Sequence, residues 1–263
     1  MGGTEQGHRQ SIVEVGRLVL QKNWVAASDG NISIRLDDGR ILCTPSGVCK
    51  GAMRPEDLII CDLDGRRISG DRECTSEIAM HTAIYARRPD VTAVVHAHPP
   101  YSTGFAAAGR ALDLAVLPEV IVSLGCIPLA AYGLPGTPEL TEGMLPYIAK
   151  CDAMLLENHG VVCYGETVWK AYARMEKVEQ TAHITLVAEM LGGPRVLGRA
   201  DVRRLFEART RYGIRSHTTF EPGFPVVAED LEDSQPRYRL TRDEIASIVD
   251  EALRAHEASA RRR

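Results

Sequence analysis

The chain has 263 residues, a hydrophobic fraction of 44%, a charged fraction of 25% and a formal net charge of -4. These values are ordinary for a soluble globular protein and predict one domain of the α/β or α+β type with a substantial core. A slightly acidic chain without a long basic run gives no support for nucleic-acid binding or for attachment to an anionic membrane.

The cysteines and the N-terminus predict a cytoplasmic protein. The seven cysteines are an odd number and never form a Cys-x-x-Cys spacing. We therefore expect reduced thiols, and neither a disulfide framework nor a thiolate zinc site. The first eight residues lack an apolar signal core, and no apolar stretch approaches the ~18 residues of a membrane span.

The first quarter of the chain predicts a helix followed by antiparallel strands. Apolar residues at helical spacing predict an amphipathic helix over 10–25. Alternating residues predict strands over 32–36 and 40–44, which the turn Asp37-Asp38-Gly39 joins. Another short strand is predicted over 58–62.

The strand predicted over 91–98 carries a His-x-His pair. Side chains of an extended strand alternate between its faces, so His96 and His98 point the same way, about 6.6 Å apart at Cα. That pitch suits two imidazoles that share one metal ion. The alternative is a strand end that happens to carry two polar residues. Before this strand, a helix is predicted from Thr75 to Arg88.

The remaining elements follow without a strict βαβ alternation. A hairpin with Asn158-His159-Gly160 at its tip joins two predicted strands, and a capping-box spacing predicts a last surface helix that begins at Thr241. The acidic segment 229–233 predicts a loop. The other predicted elements are helices over 101–108, 139–149 and 166–191 and strands over 116–124, 127–130, 153–157 and 161–164.

Three histidines and one glutamate point to metal chemistry. With His96 and His98, the hairpin residue His159 makes a set typical of an open zinc site. A polar hairpin tip is also common without any ligand role, and that alternative stays open. Glu77 opens the helix after Thr75, where the helix dipole favours a carboxylate whatever its function.

Polar loops elsewhere suit an anion. Hydroxyls and free N–H groups at the helix start can bind a phosphate, although each such cluster can equally be a simple turn. The chain has no Gly-x-Gly-x-x-Gly or Walker loop and no Gly-x-Ser-x-Gly nucleophile elbow. The candidate anion loops are Gly30-Asn31, Ser46-Gly47 and Thr75-Ser76.

Taken together, these motifs resemble those of the class II aldolase/adducin family. The matching segments keep the family's order and near-identical spacing, and they cover roughly residues 10–192. The segment 211–215, Arg-Tyr-Gly-Ile-Arg, is similar to the family's C-terminal Tyr-Gly segment. The main matches are Asp29-Gly30-Asn31-Ile32-Ser33, Thr44-Pro45-Ser46-Gly47, Thr75-Ser76-Glu77, His96-Ala97-His98-Pro99 and Glu157-Asn158-His159-Gly160-Val161.

The resemblance implies a three-layer α/β/α sandwich around a mainly antiparallel sheet, assembled as a homotetramer with sites between subunits. It assigns His96, His98 and His159 to Zn²⁺, with Mn²⁺ or Co²⁺ as alternatives, and it places Glu77 beside the ion as ligand and acid/base. The phosphate of a bound ketose would lie among Gly30, Asn31, Ser46, Gly47, Thr75 and Ser76.

Two positions bear on the aldehyde end of the substrate. The resemblance implies that Tyr212 enters the site of a neighbouring subunit as a catalytic residue. The family's type enzyme has a second catalytic tyrosine near the place where this chain has Leu117-Pro118-Glu119. The aldehyde pocket is therefore expected to differ.

The implied reaction cleaves a ketose 1-phosphate to dihydroxyacetone phosphate and an aldehyde. The substrate would be L-fuculose 1-phosphate or a related deoxy- or methylthio-pentulose phosphate. Alternatives on the same fold are a 4-epimerase, which typically has Asp in place of Glu77, a methylthioribulose-phosphate dehydratase and an oxo-tetronate-phosphate decarboxylase. An adducin-like interaction module without metal is the non-enzyme alternative. We expect the catalytic domain to span 1–220 and a C-terminal extension to span 221–263.

Overall fold

The computed structural model describes residues 4–214, 218–221 and 223–234, with the backbone alone at 232–234. The chain divides into two compact units, Met1–Ala228 and Glu229–Arg263, and the first contains the whole sheet. The domain boundary at residue 220 stays a prediction. The surface helix predicted from Thr241 lies outside the described residues. In the part of the chain that is described, no helix is long and apolar enough to cross a membrane.

The described strands form one sheet. Its eight strands are β1 Asn31–Arg35, β2 Ile41–Cys43, β3 Ile59–Cys61, β4 Arg67–Ser69, β5 Ala93–Ala97, β6 Leu129–Ala130, β7 Ala153–Leu156 and β8 Gly160–Gly165. Their order across the sheet is β4-β3-β2-β1-β5-β8-β7-β6. All neighbours are antiparallel except β6 and β7. The prediction of a mainly antiparallel sheet is confirmed.

Helices cover both faces of the sheet and complete the predicted three layers. One apolar cluster joins the first face to α1 (Glu5–Gln21), α3 (Pro100–Ala107) and α6 (Val168–Met190). A second cluster joins the other face to α2 (Ile78–Arg87) and α5 (Pro138–Ile148).

The alternation along β5 decides where its histidine points. Val95 and Ala97 pack in the first cluster, and Val94 packs in the second. Because side chains alternate along a strand, His96 lies on the second face, toward α2. The functional side chains of β5 and α2 are therefore brought to the same side of the sheet.

The predicted antiparallel strands of the first quarter are confirmed. In the hairpin of β1 and β2, Ile34 lies opposite Leu42, and Gly39 in the turn adopts a left-handed φ of 87°, which glycine permits without strain. The edge strand β4 is not predicted from the sequence. It has only three residues, too few to establish an alternating pattern, and all of them are exposed.

The strand predicted over 116–124 is wrong, because Pro118–Ser123 forms helix α4. Val120 packs in the first apolar cluster and Ile121 packs in a third cluster shared with α7 (Arg199–Ala208). A helix buried on more than one side loses its 3.6-residue period, and its β-branched residues then favour a strand on sequence alone. The opening proline presets φ for the first turn of the helix.

The loop predicted over 229–233 is also wrong, because helix α8 spans Ala228–Ser234. Its first turn contains Glu229 and Asp230. Carboxylates at that position are favoured by the positive end of the helix dipole. An acidic composition therefore fits a helix start as well as a solvated loop.

Candidate metal centre and active site

The end of β5 presents two of the predicted metal ligands on one side. His96 is 1% exposed, and its Nδ1 lies 2.9 Å from the carbonyl oxygen of Val161 on β8. A carbonyl only accepts, so the proton of neutral His96 is on Nδ1 and Nε2 has a free lone pair. His98 follows β5, and its backbone N–H donates to the carbonyl of Trp24 over 2.8 Å. Nε2 of His98 lies 3.1 Å from Nε2 of His96.

His159 comes from the tight hairpin between β7 and β8. Asn158 before it adopts a φ of 54°, a left-handed conformation that asparagine tolerates better than most residues. Gly160 after it leaves room for the other histidines. A Cβ at Gly160 would lie 2.5 Å from Cδ2 of His98 and 2.7 Å from the carbonyl oxygen of Ala97. The hairpin sequence thus allows a close approach that any side chain at Gly160 would prevent.

The three histidines form a donor set that fits a divalent cation. One ring nitrogen from each of His96, His98 and His159 lies within 4.8 Å of the other two. Burial, with repulsion from His159 and His98, holds the pKa of His96 well below its ordinary value. Burial first, and then His159, lowers the pKa of His98. Neutral imidazoles with converging lone pairs are the form that binds a metal.

Glu77 lies immediately before α2 and joins this group. Its Oε1 is 3.2 Å from Nε2 of His159, and its Oε2 is 3.4 Å from Nε2 of His96. Among the described residues, Oε1 finds no hydrogen-bond partner although it is buried. A buried carboxylate oxygen without a partner is costly unless a cation or a proton compensates it. The carboxylate therefore fits both a cation ligand and a carrier of protons.

A chain of buried hydrogen bonds leads from α2 through β1 to Glu77. Asn31 donates from Nδ2 to Glu77 Oε2 over 2.7 Å, and its Oδ1 lies 2.5 Å from Nε2 of His81. Oγ of Ser33 lies 2.6 Å from Nδ1 of His81 and 2.7 Å from the hydroxyl of Tyr85. Because Asn31 Oδ1 only accepts, neutral His81 has its proton on Nε2, so Ser33 donates to His81 and Tyr85 donates to Ser33. Every donor in this hydrogen-bond chain points toward Glu77.

The sequence alone does not predict Ser33, His81 or Tyr85 as part of the site. The spacing of His81 and Tyr85 could have indicated them. Together with Glu77 they recur every four residues and so share one helix face. Burial first, and then repulsion from His96, lowers the pKa of His81 to about 3. His81 is therefore neutral near pH 7, as the hydrogen-bond chain requires.

A polar cavity of about 270 Å³ opens beside the histidines. Two of its loops are joined by backbone hydrogen bonds, from Ser46 N–H to Glu73 over 3.0 Å and from Thr75 N–H to Thr44 over 3.2 Å. All six residues that the resemblance assigns to a phosphate line the cavity. They are Gly30, Asn31, Ser46, Gly47, Thr75 and Ser76, and Glu77, His98 and His159 line it with them.

Lys50 also lines this cavity, which sequence analysis does not predict. The residue is 2% exposed, and its Nζ donates to the carbonyls of Ser28 and Val48, each over 2.7 Å. Burial lowers the pKa of Lys50. The lysine thus connects the loop before β1 to the loop after β2, and it brings a positive charge to the wall of the cavity.

Tyr212 is not part of this cavity on its own chain. It ends a 3-10 helix, Arg209–Tyr212, and is 69% exposed. It lines a separate surface depression of about 370 Å³ together with Pro118 and Glu119. That is the segment where the type enzyme's upstream tyrosine is expected. The catalytic role of Tyr212 stays a prediction.

Known proteins share this combination of fold and motifs. Residues 10–186 match the family model of the class II aldolase and adducin N-terminal domain. A 3-oxo-tetronate 4-phosphate decarboxylase of Pectobacterium atrosepticum is 34% identical over 189 residues, which cover 70% of this chain and 86% of that protein. An L-fuculose phosphate aldolase of Methanococcus maripaludis is 36% identical over 179 residues, which cover 68% of this chain and 96% of that protein.

A solved structure shows the same architecture. YgbL from Klebsiella pneumoniae, described as an aldolase, epimerase or decarboxylase, superposes with a TM-score of 0.72 at 30% identity. The superposition covers 78% of this chain and 100% of that one. Together with the family match over most of the chain, this establishes that the protein belongs to the class II aldolase and adducin family.

Proposed function

We propose that this protein is a divalent-metal lyase that breaks the bond between the carbons α and β to the ketone of a phosphorylated substrate and releases dihydroxyacetone phosphate. The observation that carries the proposal is the position of Glu77. Its carboxylate oxygens lie 3.2 Å from His159 and 3.4 Å from His96, and Glu77 also lines the polar cavity. These distances support the proposal because they bring one carboxylate close to two of the histidines and to the cavity.

His96, His98 and His159 would hold the cation, with Glu77 as a further ligand before a substrate enters. Three histidines with an open position are typical of catalytic Zn²⁺, and Mn²⁺ or Co²⁺ accept the same donors. When bound, the cation supplies Lewis-acid charge that favours an oxyanion at the substrate ketone. The low pKa values of His96 and His98 support this assignment, because both rings are neutral at pH 7.

Glu77 is the group that we assign to proton transfer. Asn31 fixes its Oε2 through a hydrogen bond of 2.7 Å, whereas Oε1 is buried without a hydrogen-bond partner among the described residues. We propose that Oε1 exchanges a proton with the substrate carbon whose bond to the leaving group breaks. A positioned carboxylate of this kind contributes on the order of 10²–10⁴ in rate.

The phosphate would bind in the cavity formed by the three polar loops. Gly47 has a φ of 70°, and a Cβ built there meets nothing within 4 Å, so its backbone borders open space. The hydroxyls of Ser46 and Thr75 and the charge of Lys50 suit a phosphate dianion. Binding the phosphate at a distance from the reacting bond positions the ketone without taking part in the chemistry.

Two activities named among the relatives share this half of the substrate. Cleavage of a ketose 1-phosphate leaves the enediolate of dihydroxyacetone phosphate and an aldehyde. A 3-oxo-tetronate 4-phosphate that loses carbon dioxide from C1 leaves the same enediolate, because its C2 bears a hydroxyl and its C3 is the ketone. One ligand set and one Glu77 therefore serve both reactions, and the leaving group is what differs.

We place the aldolase first because of Tyr212. Cleavage to an aldehyde removes the proton of the hydroxyl on the carbon that becomes the aldehyde, so it needs a group that exchanges this proton, whereas loss of carbon dioxide does not. Tyr212 lies beside Pro118 and Glu119 on an exposed surface, from which it can reach a neighbouring copy. The decarboxylase is the second candidate, and the observation in its favour is Pro118, since the family's upstream tyrosine is missing there.

The proposal includes a homotetramer with sites between subunits, because Tyr212 does not line the cavity of its own chain. A cytoplasmic location is also proposed. It rests on the seven cysteines, all of which are free thiols.

A substrate panel tests the proposed function. The purified zinc-loaded protein would be given L-fuculose 1-phosphate, a 5-deoxypentulose 1-phosphate and a 3-oxo-tetronate 4-phosphate, with dihydroxyacetone phosphate and carbon dioxide measured separately. Dihydroxyacetone phosphate without carbon dioxide supports the aldolase, and both products together support the decarboxylase. An isomerised or dehydrated product with neither of them would favour the epimerase or dehydratase and contradict the proposal. No turnover in a protein that also fails to bind the metal would favour an adducin-like module.

A further inference from the structure

Three thiols converge on the α2 side of the sheet, outside the histidine site. Cys43 ends β2, Cys61 ends β3, and Cys74 lies just before Thr75. The sulfur of each lies within 4.8 Å of the other two. Cys43 and Cys61 are buried, Cys74 is half-buried, and none forms a disulfide. The sequence predicts no thiolate site because the three residues lie 13 or more positions apart and lack the Cys-x-x-Cys spacing.

The strand register explains how distant cysteines meet. β2 and β3 pair antiparallel with Cys43 opposite Ile59 and Ile41 opposite Cys61. All four side chains pack in the second apolar cluster, so both thiols lie on the same face of the sheet. Cys74 is brought over them by an antiparallel bridge between its backbone and that of Pro45. Each sulfur thus comes from a different backbone segment that the fold fixes.

Packing alone accounts for a buried cysteine, which behaves as a small hydrophobe. It does not require three sulfurs at one point. Metal–sulfur bonds of ~2.3 Å in a tetrahedral site place the sulfurs about 3.8 Å apart. The three sulfurs already lie within 4.8 Å of one another. Small rotations of the side chains would therefore bring them to the spacing of such a site.

Hydrogen bonds from the two neighbouring thiols stabilise the thiolate of Cys74. Hydrogen bonding from Cys43 first, and then from Cys61, lowers the pKa of Cys74 to about 7, although burial opposes the shift. The pKa of Cys43 is raised well above its ordinary value, first by Cys61 and then by Cys74. Cys74 therefore loses its proton more readily than Cys43, and it is also the more exposed of the two.

We infer that Cys43, Cys61 and Cys74 form a second metal site, which binds one thiophilic cation of the class of Cd²⁺, Zn²⁺ or Cu⁺. The sulfurs bind as thiolates, so binding releases the protons that the three thiols hold at that pH. Soft thiolate donors prefer this class of cation over Mg²⁺, Ca²⁺ or Mn²⁺. Because the histidine site offers only nitrogen and oxygen donors, the two sites are chemically distinct.

Two of the three cysteines lie next to the anion loops in the chain. Cys43 directly precedes the loop that contains Ser46, and Cys74 directly precedes Thr75 and Ser76. The two segments already share the hydrogen bonds from Ser46 N–H to Glu73 and from Thr75 N–H to Thr44. A cation held by Cys43 and Cys74 would join the same two segments at positions next to the anion loops.

Cadmium titration of the reduced, full-length protein tests the inference, because cadmium thiolates absorb in the ultraviolet and cadmium imidazoles do not. We expect the thiolate absorption in the wild type and, at the same strength, in His98→Ala. Cys43→Ala, Cys61→Ala and Cys74→Ala should each weaken Cd²⁺ binding at the thiols about tenfold or more. Cys49→Ala is the matched control, since Cys49 is half-buried but outside the cluster. Absence of the thiolate absorption in the wild type, or an unchanged titration in Cys74→Ala, would overturn the inference.

A second measurement needs no variant. Alkylation of Cys74 and Cys49 in the wild type would be followed by peptide mass spectrometry with and without saturating Cd²⁺. Metal bound at the cluster should slow the alkylation of Cys74 about tenfold and leave that of Cys49 unchanged. Equal alkylation rates of Cys74 in the two samples would contradict the site even if every variant failed to fold.

Discussion

The side-chain amide of Asn31 donates a hydrogen bond to Glu77 over 2.7 Å and so links the first residue of β1 to the start of α2. The same amide accepts a hydrogen bond from His81. Asn31 can fill both roles only in one orientation, because its oxygen must face the His81 donor and its nitrogen the carboxylate. The orientation of Glu77 therefore depends on the tautomer of His81, to which Asn31 links it.

His81 makes the stability of the protein sensitive to acid. Its folded pKa of about 3 lies below the unfolded value of about 6.5, so its contribution is complete above pH 6.5 and is lost as the pH falls toward 3. Between pH 6.5 and pH 5 this single group removes about 2 kcal/mol from the free energy of unfolding. In His81→Gln, whose amide can still donate to Asn31, the acid-dependent loss should be smaller by about that amount. Denaturant unfolding at pH 6.5 and pH 5, with a chelator present, measures this loss in the wild type and in His81→Gln. Equal losses in the two proteins would refute the prediction.

Gly160 is expected to be essential for metal binding. A Cβ there would lie 2.5 Å from His98 and 2.7 Å from the Ala97 carbonyl, so Gly160→Ala must displace a predicted ligand. We expect metal affinity to fall about tenfold or more, as in His98→Ala, which removes one ligand outright. Gly104→Ala is the control, because a Cβ at Gly104 meets nothing within 4 Å. Elemental analysis after dialysis decides the question, and full metal occupancy in Gly160→Ala would show that the site tolerates the displacement.

Lys50→Met should weaken substrate binding more than turnover. The substitution removes the positive charge at the cavity wall and the hydrogen bonds to the carbonyls of Ser28 and Val48. We expect KM for the phosphorylated substrate to rise about tenfold, with kcat within about threefold of the wild type. Steady-state kinetics provides the measurement, with Lys22→Met as control for an exposed lysine. An unchanged KM would mean that Lys50 only supports the loops.

Tyr212 is expected to act in a neighbouring subunit. Tyr212→Phe and Glu77→Gln should each be poor enzymes with intact assembly, because each lacks one proton-transferring group. After the two are mixed and reassembled, activity should return, since roughly a quarter of randomly formed interfaces hold both native residues. If activity stays at the level of the parents while labelled subunits demonstrably exchange, Tyr212 does not complete the site of a neighbour.

Sequence patterns predict the parts of the site that depend on local geometry. Side chains alternate along a strand, which puts His96 and His98 on one side, and a tight hairpin directs His159 toward them. The contacts of Asn31 and Lys50 are different, because they arise from strand pairing and loop packing between distant segments. Asn31 lies opposite His96 in the register of β1 and β5, and no local pattern specifies that partner. The same limit applies to the three thiols and to α4, where burial on several sides hides the helical period.

Glu77→Gln tests whether Glu77 transfers protons at a metal held by three histidines. The amide is nearly isosteric, and Asn31 can still pair with its oxygen. The variant should therefore keep the metal and the fold while the release of dihydroxyacetone phosphate falls by at least ~10²-fold, because the group that gives a proton to the enediolate carbon is gone. The measurement is turnover and metal content on the same purified sample. A metal-loaded variant whose turnover stays within about tenfold of the wild type would contradict the account and leave Glu77 as a helix-end residue.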